Sequence, residues 1–304
     1  MSTLLKRYLT VLLPYAIIIL FSAGCHPTKT PPPETKQTAH ESGSSANTLY
    51  NFWENYNFND RTTLQDTNQS EQQLIDFIGS FPQYPIEQVK DAIQHMLQKT
   101  ESNPAAFTYF SNKYAHYLYD PNSPFRSDWY YEPVLEYLTT SPNATDPEKI
   151  RYKMQLKQVR KNQPGTTVTD FQYLNSHGKK ENLHDSKGLT RVLIFYDPAC
   201  PHCKEIMNQL KSSELLNTLI AAKQIQIIAI DPMEDKIAWK EYQSQIPSNW
   251  TNGFDHQNIL IKTELYSIMA YPTLYLVDDS NKIVLKDPDH GYLVNFLNAH
   301  TNNR

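Results

Sequence analysis

The sequence predicts an α/β sandwich over residues 164–304, preceded by an all-α domain over 49–163. Three observations carry this reading. Between residue 49 and about 160, apolar and aromatic side chains recur at helical intervals. From Val168 onward, short strand-like runs alternate with helical stretches and end in a hairpin and a helix. The two patterns meet at Asn162-Gln163-Pro164-Gly165, a turn that ends the helical periodicity.

The elements follow in chain order. Residues 1–24 read as an export leader. Lys6-Arg7 form a positive start, and Tyr8 to Phe21 is a largely apolar run too short for a comfortable membrane span. Small residues Ser22-Ala23-Gly24 then precede Cys25. This arrangement resembles a bacterial lipoprotein signal, in which the cysteine is lipidated. It departs from that pattern in one place: Ser22 stands where leucine is usual, with Phe21 one position earlier. The alternatives are ordinary cleavage that leaves Cys25 free, or an uncleaved anchor. Residues 25–48 read as a flexible tether, with Pro31-Pro32-Pro33 stiffening one part and Ser42-Gly43-Ser44-Ser45 loosening another. As a coil, it spans about 25–30 Å.

About five helices are expected over 49–163. Leu74, Ile75, Phe77 and Ile78 share a face, as do Val89, Ile93, Met96 and Leu97. Asn103-Pro104 and Asp146-Pro147 each place a capping side chain before a proline suited to a first helical turn. Phe107, Phe110, Tyr114 and Tyr117 recur every three or four residues, and Val134, Leu135 and Leu138 form a shorter stripe. Most of these aromatics read as core, and a partner groove is the alternative.

The second half opens β-rich, with Val168, Phe171, Tyr173 and Leu174 before the turn Ser176-His177-Gly178. A strand ends at Tyr196, and a helix is expected from about Pro201 to Ala222. Ile225 to Ile230 is a buried strand by composition, and Asp235 to Gln245 looks helical. Thr273 to Val277 is another strand, turned by Asp278-Asp279-Ser280-Asn281 into Lys282 to Leu285. A helix over Tyr292 to Ala299 closes the chain.

Composition bounds the function. The chain has 304 residues, 39% of them hydrophobic, with 20 Tyr and 12 Phe to build cores. A net charge of −4 without a marked Lys/Arg cluster argues against nucleic acid as a partner. The chain holds 3 cysteines. With Cys25 assigned to lipid, Cys200 and Cys203 remain as a pair, too few to staple a disulfide-rich scaffold.

That pair carries the chemistry. Cys200-Pro201-His202-Cys203 lies where the apolar run Val192-Leu193-Ile194-Phe195-Tyr196 gives way to a helix. At a helix start, unpaired N–H groups and the positive end of the dipole favour a thiolate at Cys200. Cys203 is close enough to close a disulfide. A purely structural disulfide of so small a ring is worth about 2 kcal/mol, a weak reason to place it there. Zinc wants four ligands, and only one Cys-x-x-Cys unit exists. Heme attachment wants His after the second cysteine, where Lys204 stands.

Residues 164–304 resemble the thioredoxin-like fold in its TlpA-type envelope branch. The strand–Cys-x-x-Cys–helix unit at Val192 to Leu210 carries the resemblance, with Tyr271-Pro272-Thr273 just before a strand. The resemblance implies thiol–disulfide exchange through Cys200 and Cys203, with His202 and Pro201 tuning the pair. It also implies a cis bond at Pro272, with Tyr271 and Pro272 holding the substrate segment. The segment Tyr117 to Arg126, with Tyr130 and Pro133-Val134-Leu135, resembles a helical domain of unknown function found before such modules in bacterial lipoproteins.

The implied partners are protein thiol or disulfide substrates and a redox partner protein, with the membrane reached by lipid on Cys25. No cofactor and no metal are implied, and the implied location is the cell envelope, facing the periplasm. Pro-His between the cysteines accompanies oxidising members, while TlpA-type relatives often serve reducing pathways, so direction stays open. The family's usual Trp before the first cysteine is Ala199 here. Its buried strand Asp is Ile194, and its Glu after the second cysteine is Ile206, with Glu205 one place earlier. The proton acceptor for Cys203 is therefore unassigned. The competing functions are a partner-binding module with a structural or vestigial disulfide, and a thioredoxin-fold peroxidase. Against the peroxidase, Asp197 stands where its motif needs Thr or Ser. Pro247-Ser248-Asn249-Trp250 reads either as an active-site rim or as a packed loop.

Overall fold

The computed structural model describes residues 48–60, 67–186 and 188–301; the leader, Cys25 and the tether up to residue 47 lie outside them. Five helices of the first half are α1 (Thr67–Ser80), α2 (Ile86–Thr100), α3 (Pro104–Leu118), α4 (Asp128–Leu138) and α5 (Asp146–Val159). Asn103 caps α3 by accepting the Ala105 N–H at 3.1 Å. Pro104 fills the first turn, where no N–H is needed. At α5 the cap lies one residue earlier than expected. The Glu148 carboxylate accepts both the N–H (2.8 Å) and the hydroxyl (2.7 Å) of Thr145, which is in the extended region. Asp146 becomes a helical residue, where its charge suits the positive end of the dipole.

The predicted apolar stripes converge on one core. Leu74, Phe77, Val89, Ile93, Met96, Phe110, Tyr114, Val134 and Leu138 are all buried, while Ile75 is only half-buried. Trp53 is the hub, edge-on to Tyr56, Phe77 and Phe110 at centroid distances of 5.1, 5.7 and 5.4 Å. Each such pair adds about 0.5–1.5 kcal/mol beyond area burial. These rings are therefore core, as the intervals imply.

The second half is a seven-stranded sheet. Its elements are β1 (Gln172–Asn175), β2 (Lys180–Asn182), β3 (Thr190–Phe195), α6 (Pro201–Ser212), α7 (Glu214–Ala221), β4 (Ile225–Asp231), α8 (Lys236–Tyr242), β5 (Thr251–Phe254), α9 (Ile259–Lys262), β6 (Thr273–Val277), β7 (Ile283–Lys286) and α10 (His290–Thr301). The strand order is β2-β1-β5-β4-β3-β6-β7. Strands β3, β4 and β5 are parallel, and β6 and β7 run antiparallel at one side. Because β3 is covered on both faces, its side chains divide by parity. Val192 and Ile194 pack toward α6 and α10, and Leu193 and Phe195 pack toward Phe171, Tyr266 and Tyr275.

Two elements differ from expectation. The helix expected from Pro201 to Ala222 breaks at Ser213, which is extended and whose hydroxyl accepts the Leu216 N–H at 3.4 Å. Strand β5 has no strand-like composition. It exists because Gly253 pairs with Ile230 across the sheet, where a Cβ would lie 2.4 Å from Ile230 Cδ1.

The halves are joined by charges withdrawn from water. Lys286 Nζ meets Asp128 Oδ2 at 2.7 Å and donates to the carbonyls of Val159 (3.0 Å) and Lys161 (2.6 Å). Arg126 pairs with Asp287 beside it. Lower down, Lys161 donates to the Glu264 carbonyl, and Asn162 accepts the Ser267 N–H at 2.9 Å. The linker thereby grips the loop that runs toward Tyr271 and Pro272.

Candidate active site

Strand β3 ends beside β4, the central strand of the sheet, and Tyr196 continues its pairing by donating its N–H to the Ile230 carbonyl at 3.0 Å. An Asx turn follows, in which Asp197 Oδ1 accepts the Ala199 N–H at 2.8 Å. The turn delivers Cys200 to the start of α6 in extended geometry, so Cys200 is the N-cap residue. Its sulfur accepts the Cys203 N–H at 3.3 Å. One orphan donor of the helix is thus satisfied by sulfur. Pro201 takes the first helical position at no cost in hydrogen bonds, since it has no N–H to lose.

The two sulfurs lie in different environments. Cys200 is half-buried and Cys203 is fully buried; both are free thiols. Burial pushes the Cys203 thiol well up, while the Asp197 N–H that donates to its sulfur acts in the opposite direction. Facing the pair, the Tyr271–Pro272 bond is cis, and the Tyr271 carbonyl lies 3.7 Å from Cys200 Sγ. Elements far apart in sequence therefore bring Cys200, Cys203, Tyr271 and Pro272 together.

His202 turns outward. Its ring Nδ1 lies 3.5 Å from Glu205 Oε2, and both side chains are 64% exposed. Glu205 is thus committed to the solvent face of α6 and stands away from the buried thiol. Ile206 packs on the core. Trp250 is buried in the same core and anchors the 247–250 segment, while Ser248 and Asn249 are exposed.

Beneath the pair lies a polar floor that sequence reasoning missed. Asn252 Oδ1 accepts from Tyr196 Oη (2.8 Å) and from Trp239 Nε1 (3.1 Å). Tyr242 lies against Tyr196 at 5.6 Å between ring centroids. Asp231, at the end of β4, is fully buried. Its Oδ1 accepts the Met233 N–H at 2.7 Å, while Oδ2 has no hydrogen-bond partner. Burial first, then the carboxylates of Asp197 and Asp235, push its carboxyl up to about 7. A signal was present: Asp231 is the one charge closing the apolar run Ile225 to Ile230. Among the described residues, no three His, Cys, Asp or Glu side chains group as a metal site, and no helix is long and apolar enough to cross a membrane.

The comparisons agree with this architecture. Residues 188–283 match the thioredoxin-like family, and residues 30–162 match a domain of unknown function, DUF5106. The chain is 32% identical over 129 residues to a thiol-disulfide oxidoreductase ResA of Bacillus cereus, covering 42% of this chain and 69% of that protein. It is 30% identical over 132 residues to ResA of Bacillus thuringiensis subsp. konkukian, covering 43% and 70%. Among solved structures, a thioredoxin-like protein from Bacteroides caccae superposes with a TM-score of 0.81 at 29% identity, over 89% of this chain and 98% of that one. That likeness spans both halves.

Proposed function

Because the chain belongs to the thioredoxin-like thiol–disulfide oxidoreductases, we propose that Cys200 and Cys203 are its exchange pair and that the substrates are proteins of the cell envelope. Cys200 attacks a substrate disulfide as thiolate. One S–S bond breaks, a substrate thiolate leaves, and a mixed disulfide forms at Cys200. Cys203 then attacks the Cys200 sulfur and releases the second substrate thiolate, leaving the pair oxidised. Run backward, the same steps oxidise a substrate dithiol. Tyr271 and Pro272 hold the substrate segment beside Cys200. Pro201 and His202 tune the pair through the start of α6, with His202 acting at its solvent face.

One observation carries this reading. The Cys200 sulfur caps a helix, accepts a backbone N–H, and is more open to solvent than its partner. That division of labour suits an attacking and a resolving thiol. Residues 1–24 serve as leader, Cys25 as lipid anchor and 25–48 as tether. The units 49–163 and 164–304 are then held at the membrane, facing the periplasm, with a second redox protein regenerating the pair. Labelled palmitate fed to expressing cells, compared with Cys25→Ser, tests the anchor.

Insulin reduction and dithiol oxidation, each with Cys200→Ser as control, test the chemistry. Loss of both activities in the variant is expected, and equal rates in variant and wild type would sink the assignment. The direction follows from the reduction potential of the pair: about −270 mV marks a reductant, and about −120 mV an oxidant.

A further inference from the structure

We propose that Asn162, in the turn between the two halves, is a positioning residue for disulfide exchange. It holds the segment leading to Tyr271 and Pro272 where a protein substrate must lie beside Cys200. The inference rests on Cys200 and Cys203 being the exchange pair, and on Tyr271 and Pro272 holding the substrate segment.

Residues 263–272, between α9 and β6, contain no helix or strand, so no ladder of backbone bonds fixes them. At the far end, the Thr273 hydroxyl donates to the Ala270 carbonyl at 2.7 Å, and the Tyr271 carbonyl lies 3.7 Å from Cys200 Sγ. The middle is tied at Ser267, which is 2% exposed. Its carbonyl accepts the Tyr275 hydroxyl at 2.9 Å, and its N–H donates to Asn162 Oδ1 at 2.9 Å. Without that oxygen the Ser267 N–H would be a buried orphan. Asn162 has φ 52°, a left-handed backbone that asparagine tolerates better than most residues.

Asn162 is itself fixed from both sides. Before it, Lys286 Nζ, paired with Asp128 of α4, donates to the carbonyls of Val159 and Lys161. After it, the Gly165 N–H donates to the Ile283 carbonyl at 2.7 Å, and the Ile283 N–H to the Thr166 carbonyl at 2.9 Å. Gln158 and Lys161 reach the same segment, donating to the Glu264 carboxylate at 3.0 and 3.1 Å. A chain of hydrogen bonds thus runs from the helical half through Asn162 and Ser267 toward the edge that faces Cys200. Cys200 is placed by other contacts, the Asp197 turn and the start of α6. Loosening Asn162 therefore disturbs substrate docking and leaves the cysteine as reactive as before.

The test uses the full chain. Asn162→Gly keeps the left-handed backbone and removes the acceptor. The KM for insulin should rise about 3–10-fold, the worth of one hydrogen bond, with kcat and the iodoacetamide alkylation rate of Cys200 unchanged. Asn162→Asp, which restores an acceptor on the same backbone, should bring KM back. An unchanged KM in Asn162→Gly overturns the proposal. So does a failed rescue, or an alkylation rate that moves in step with KM, since either marks a general loosening of the fold. Should Asn162→Gly fail to fold, Lys161→Met decides by removing one clamp on Glu264: a KM raised about 2-fold supports the role, and an unchanged KM overturns it. Insulin turnover by Cys200→Ser would be a separate failure, that of the exchange pair itself.

Discussion

Replacing Asp231 by Asn turns a buried, titrating group into a neutral one of the same shape, and its effect on stability can be worked out. In the folded chain, burial raises the carboxyl from 3.8 to about 7. A raised carboxyl means that, between those limits, the folded state keeps a proton that the unfolded chain has released. Wild-type stability therefore falls as pH rises from about 4 to about 7, then levels off. The displacement corresponds to about 4 kcal/mol. The amide has no such titration. It brings a fixed cost of about 1–3 kcal/mol, because an NH2 placed at the unpartnered Oδ2 is unpartnered too. That offset does not change with pH. Urea unfolding of both proteins, extrapolated to water at several pH values, separates the two effects. The variant should gain on wild type by about 4 kcal/mol across the window, ending level with it or more stable above neutrality. Curves that stay parallel within about 1 kcal/mol would refute the argument, since Asp231 would then titrate as an ordinary carboxyl.

Other consequences follow from the packing. Cys203→Ser should accumulate a mixed disulfide at Cys200, visible as an added mass after exposure to a disulfide substrate; rapid turnover without that species would contradict the assigned order of attack. Asp128→Ala strands Lys286, whose side chain is 4% exposed, and should cost about 3–5 kcal/mol in urea unfolding. The double variant Asp128→Ala/Lys286→Met should recover much of that loss, and equal losses in the two proteins would argue against a buried pair. Gly253→Ala pushes a Cβ into Ile230 and Tyr173, at 2.4 and 2.7 Å. It should destabilise the chain by about 1–3 kcal/mol, and a neutral result would show that β4 and β5 can separate cheaply.

Much of the architecture was legible because short-range rules govern it. The aromatic stripes of α1 to α4 announce buried faces, and the strand-to-helix change at Tyr196 announces where Cys200 must cap. The helical break at Ser213 was harder to read: Leu210, Leu216 and Leu219 keep an apolar pattern through it, and hydrophobic period alone cannot see a cap in mid-run. Strand β5 was invisible for the opposite reason. Thr251-Asn252-Gly253-Phe254 has little strand propensity, and only the close approach of Ile230 and Tyr173 makes glycine the residue that fits.

By itself, then, the sequence determined the periodicities, the turn that ends the helical pattern before Gly165, and a pair of cysteines spaced to meet at a helix start. These depend on residues within a turn or two of one another. Only the tertiary structure decided that Cys203 is buried while Cys200 is not, that Tyr271 and Pro272 lie against the pair, and that Glu205 answers His202 at the surface. Asp231 belongs with these. Its proton affinity is a property of the burial and charges around it, contributed by β4, the Asp197 turn and the segment leading into α8, and no local pattern encodes their meeting.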